Sequence, residues 1–106
     1  MPDEKLFADV IQEIYKAKKS GALYVSMTEA SEDLFKMYFS NGDIYHVQFG
    51  SAMGNDCLDI IEYYELNSAT YFDGVSAPER LPSIHLPPTK IIIALIRKHD
   101  KKVKFQ

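Results

Sequence analysis

The chain has one cysteine, Cys57, so no internal disulfide can brace it and no cysteine pair can form a redox or metal motif. It also lacks a long apolar run. The longest strongly apolar stretch, IIIALI at 91–96, falls far short of the roughly 18 to 20 residues that a helix needs to span a bilayer. The first residues, MPDEKLF, have neither the basic start nor the apolar segment of a secretory signal. A cytoplasmic, reducing setting with no membrane partner is expected.

Catalytic signatures are scarce too. His46, His85 and His99 fall on a strand, in a proline-rich stretch and at a helix end, without His-x-x-x-His or Cys-x-x-Cys spacing. No serine sits in a nucleophile elbow. GSAMGN at 50–55 has two glycines four apart but no following Lys-Ser or Lys-Thr to complete a phosphate loop. Strict alternation puts Asp43 and His46 on opposite faces of one strand, out of acid–base contact. The expectation is a non-enzyme with no catalytic residue, no metal and no cofactor.

Positive charge is short over most of the length. The net charge of −3 divides into −7 over residues 1–96 and +4 over residues 97–106. Nucleic-acid affinity rests on Lys and Arg at phosphates, so the only candidate footprint is the tail RKHDKKVK, which also suits the solvated C-terminal end of a helix. Nucleic acid is disfavoured as a partner.

What is present is the material of one globular domain, 1–106, with 46% hydrophobic and 25% charged residues. Leu6, Phe7, Val10, Ile11 and Ile14 recur at helical spacing and predict a helix over 4–19, with Asp3 as N-cap and Gly21 as the positive-φ stop. ALYVSMT at 22–28 alternates as a strand, and EASED at 29–33 reads as a connector. MYFSNGDIYHV then carries the hairpin signal, because a type I′ turn wants positive φ at both central residues and Asn41-Gly42 supplies them. A two-residue turn pairs Phe39 with Ile44, Tyr38 with Tyr45 and Met37 with His46. His46 would then pack at the edge of the core face with one ring nitrogen satisfied by a neighbour, while Val47 would face the other way.

Beyond the loop 50–56, CLDIIEYYEL predicts a second helix, capped by Asn55 or Asp56, and SATYF at 68–72 a short strand. Four of the five prolines lie in the stretch 73–88, which reads as an extended surface loop. A last helix spans about 89–100. The order α-β-β-β-α-β-α gives an α+β fold, a small antiparallel sheet of about four strands with three helices packed on it.

This arrangement resembles the PATAN domain family of bacterial signalling proteins, similar to the N-terminal part of PatA-type response regulators. The likeness runs from about residue 6 to residue 100. It is carried by KKSGALYV, the hairpin MYFSNGDIYHVQFG, the helix start DCLDIIEYY, the aromatic strand TYF and the last apolar helix. The motif positions are Lys19, Gly21, Phe39, Gly42, Ile44 and His46. The resemblance implies a non-catalytic interaction module of signal transduction, often beside receiver domains. Its partners would be signalling proteins such as receiver-domain or kinase proteins.

The residues themselves point the same way. Alternation places Tyr24, Tyr38 and Tyr45, with Tyr71 and Lys36, on the sheet face opposite Leu23, Val25, Met27, Phe39 and Ile44. Tyrosine joins apolar area to a polar tip and is enriched at interfaces, so this face is a candidate contact surface unless a helix covers it. A stack for single-stranded RNA bases is the rival reading, but Lys36 is the only cation on the face. The apolar excess of IIIALI also fits a homodimer interface, or plain burial between the sheet and the first helix. A scaffold or small-ligand sensor is therefore the alternative function.

Overall fold

The computed structural model describes residues 3–27, 30–50, 52–53, 56–57, 59, 65–77, 87–98 and 102–105. Among them run β1 (Asp3–Leu6), α1 (Phe7–Lys16), β2 (Gly21–Met27), β3 (Ala30–Ser40), β4 (Asp43–Phe49), the two-residue β5 (Ala52–Met53), β6 (Leu66–Asp73), α2 (Thr89–Arg97) and β7 (Lys102–Phe105). The strands form one sheet in the order β1-β7-β6-β2-β3-β4-β5. All neighbours are antiparallel except β6 and β7, which are parallel and joined through α2. These directions make β1 parallel to β2, so α1 is also a crossover, one that passes β7 and β6.

The α+β class is as expected, but the element count is not. Among the described residues run seven strands, and besides α1 and α2 the residues 56, 57 and 59 are also helical. Three strands are too short to carry a pattern of their own. DEKL runs into the helical periodicity that follows, yet α1 starts only at Phe7, with Leu6 rather than Asp3 at its N-cap. KVKF belongs to the basic tail, yet Val103 is buried and the strand is held between β1 and β6. β5 lies in the expected loop 50–56. The connector 29–33 belongs largely to β3. Of the expected second helix, Asp56, Cys57 and Asp59 are helical and Leu66 opens β6 instead. The remainder of that helix, and most of the proline-rich loop, lie outside the described residues.

α1 is ten residues long, too short to hold itself together in water, so packing decides its existence. Phe7, Val10, Ile11 and Ile14 bury one stripe against the sheet, where fully burying each such side chain contributes about 1.5–3 kcal/mol. The helix stops through Lys18, at φ 53°, whose N–H donates to the Tyr15 carbonyl. Gly21 is instead the first residue of β2 and is not among the positive-φ glycines. On α2, Ile92, Ile93 and Ile96 join the same core, with Leu23, Val25, Phe35, Met37, Phe39 and Val47 from the sheet. Arg97 ties the two helices through Asp9 and Gln12. Both helices thus contribute to a single core on one sheet face.

Candidate functional site

The hairpin turns at Asn41 (φ 50°) and Gly42 (φ 86°), as its sequence demands. Its register then departs from simple alternation. Phe39 pairs with Ile44, but Tyr38 pairs with His46 and Met37 with Val47, which leaves Tyr45 as the extra residue of a β-bulge. The cause is visible in the spacing. Ile44 and Val47 both seek the core but stand three apart, which a period of two cannot satisfy, and one added residue does. The bulge sends Val47 into the core and turns His46 to the opposite face, reversing the expectation for both.

On that outer face an aromatic row crosses four strands. Phe72 of β6 lies 5.0 Å from Tyr24 of β2. Tyr24 meets Tyr38 of β3 edge-on at 6.4 Å. Tyr38 meets His46 and Tyr45 of β4 at 5.7 and 6.3 Å. Lys36, the cross-strand partner of Tyr24, sets its ammonium 5.3 Å from that ring's centre. The row is exposed at its ends, Phe72 at 42% and Tyr45 at 39%, and closed in its middle, where Tyr38 and His46 are each 3% exposed.

Tyr71 does not belong to this face. It pairs with Leu23, packs against the core and donates its hydroxyl to Asp73 at 3.3 Å. Phe72 holds the position assigned to it. The sequence offers two adjacent aromatics, and only the ladder with β2 decides which one faces outward.

Burial and the neighbouring phenols of Tyr24 and Tyr45 push the Tyr38 hydroxyl up to about 12, so it stays neutral. Burial lowers the His46 imidazole below its ordinary value, and a hydrogen bond with Gln48 opposes this in part. The imidazole hydrogen-bonds with Gln48, and its Nε2 has no hydrogen-bond partner among the described residues. The bulge removes the alternation argument that separated Asp43 from His46, yet Asp43 is not among the causes of the imidazole's shift. Because the folded chain favours neutral His46, stability is complete above the unfolded value of about 6.5 and is lost as pH falls from there towards the lower folded value. Urea unfolding between pH 7.5 and 5 should show this loss, and His46→Gln should reduce it. An equal loss in both chains would assign the effect to other groups.

The remaining motif positions are structural. The Gly42 N–H donates to the Lys19 carbonyl at 2.7 Å, and the Ile44 N–H to the Thr89 hydroxyl at 2.9 Å, so the hairpin is tied to the end of α1 and the start of α2. Phe39 and Ile44 are buried in the core. Gly21 lies so close to β6 that a Cβ there would stand 2.4 Å from the Phe72 carbonyl oxygen.

Next to the row, an open cleft of about 330 Å³ runs between Ser20, Ser40, Tyr45 and the segment Gly74–Ser76. Tyr45 fixes its rim by accepting the Ala77 N–H at 2.9 Å. Buried Cys57 donates to the Ala52 carbonyl, and burial pushes its thiol up to about 11, far from the thiolate a nucleophile needs. No cluster of three or more His, Cys, Asp or Glu that could hold a metal occurs among the described residues.

No protein family, curated protein or solved structure matches the chain. None of the helices among the described residues is long and apolar enough to cross a membrane.

Proposed function

We propose that the chain is a non-catalytic protein-interaction domain of the PATAN type, an adaptor in bacterial signal transduction that works in the cytoplasm and binds receiver-domain or kinase proteins through the outer face of its sheet. The observation that carries this reading is the aromatic row. α1 and α2 contribute to the core on the other side, and the row keeps exposed ring surface at Phe72 and Tyr45. The sequence likeness supplies the signalling context.

Affinity capture from an extract of the native organism tests it, with the intact chain as bait beside Phe72→Glu and Tyr45→Glu, each checked for folding. Receiver or kinase proteins retained by the intact chain and lost from both variants are the expected result. Equal recovery by all three baits moves the contact elsewhere and defeats the reading.

One observation favours a homodimeric scaffold instead. Ile91 and Leu95, one turn apart on α2, are 49% and 40% exposed. A solution mass of two chains that falls to one in Leu95→Lys would favour that alternative.

A further inference from the structure

The chemistry of the partner is written in the middle of the same face. Lys36 is a partly buried cation in mid-strand, seated on the Tyr24 ring, and it forms no ion pair with any carboxylate whose side chain is described. Lys5 and Arg97 have carboxylate partners, and Lys16 and Lys18 are exposed at the end of α1, where cations favour the helix dipole. Lys19 also sits on a ring, 5.4 Å from the centre of Tyr71, but is exposed where Lys36 is partly buried. Phe72 leans on the other side of Tyr24, so ammonium and exposed apolar ring form one continuous patch. The Ser26 and Ser68 hydroxyls bond to each other at 2.7 Å.

A purely apolar occupant would strip water from Lys36 and leave its charge unpaired, which is unfavourable. A second copy docked by the same face across a two-fold axis would bring two Lys36 ammoniums onto one patch. The first argument requires that the occupant bring an anion, and the second counts against two-fold self-pairing through this patch.

We infer that this patch binds a carboxylate-bearing segment of a partner protein, an Asp or Glu beside an apolar residue, with the carboxylate on Lys36 and the apolar side chain on Phe72. This inference rests on the adaptor reading and specifies its chemistry.

The test is an amide-shift titration of the intact chain with the blocked peptide Ac-Ser-Phe-Glu-Leu-Ser-NH2 and its Glu-to-Gln analogue. The Glu peptide should move the amides of Tyr24, Lys36, Thr70 and Phe72, and should bind about tenfold more tightly than the Gln peptide, as loss of one charge-assisted contact implies. Lys36→Met should abolish the difference, and Lys36→Glu should reverse it in favour of a Lys-containing peptide. Equal affinity for both peptides, an unchanged preference in Lys36→Met, shifts centred elsewhere, or no binding of either at millimolar concentration overturns the inference. The capture experiment keeps the two failures apart. Proteins lost from Phe72→Glu but retained by Lys36→Met would preserve the adaptor and defeat the carboxylate.

Discussion

Gly42→Ala loses about 3 kcal/mol or more of folding stability, which for a domain of this size lowers the melting temperature by roughly 10–20 °C. Two effects add. At φ 86° a side chain enters the left-handed region, at a cost of about 1–2 kcal/mol. The new Cβ would also stand 2.5 Å from the Tyr15 carbonyl oxygen, a backbone atom that cannot rotate away. Relief requires the hairpin tip to withdraw from α1, stretching the Gly42 N–H bond to Lys19. Gly74→Ala is the internal control. Gly74 has φ 77°, but nothing lies within 4 Å of its added Cβ, so only the conformational cost applies. Thermal melts of both variants decide the point. Equal losses would show that the close approach of hairpin and helix adds nothing beyond the turn itself.

Tyr38→Glu unfolds most of the population, whereas Phe72→Glu on the same face changes stability by less than about 1 kcal/mol. Tyr38 is 3% exposed and lies among Tyr24, Tyr45 and His46, and burial holds that imidazole neutral at pH 7. An unpaired carboxylate there costs several kcal/mol, a large share of the roughly 5–15 kcal/mol that holds a domain together. Phe72, at the open end of the row, keeps its replacement in water. Far-UV circular dichroism with urea midpoints separates the two. A folded Tyr38→Glu chain with a midpoint near that of the parent would mean that the middle of the row is not closed. The contrast also governs how binding data are read, because a loss of partner in Tyr38 variants reports unfolding, while a loss in Phe72 or Tyr45 variants reports the surface.

The hairpin shows where sequence reasoning succeeds and where it stops. Asn41-Gly42 fixes its turn locally, since positive φ at two successive residues is tolerated by few pairs. The register three residues later depends on which side chains the helices can bury. Ile44 and Val47, three apart, were a legible sign of the bulge, but the sign counts only once both are known to face the same core. His46 followed the bulge to the other face. Tyr71 and Phe72 exchanged roles for a related reason, because adjacent aromatics are equivalent until the ladder with β2 assigns Leu23 to one of them.

The sequence by itself determined the α+β class, the amphipathic α1, the type I′ hairpin, the start of the last helix at Thr89 and the presence of tyrosines on a second sheet face, all set by local periodicity and turn chemistry. Tertiary structure alone decided β1, at one edge of the sheet, and β7 beside it, whose four residues apiece carry too little pattern and are strands only because each pairs with the other and β7 with β6. It also decided which rings of the aromatic row are sealed and which meet solvent. That depends on what packs above each side chain, and burial is a property of the whole fold that no stretch of sequence holds.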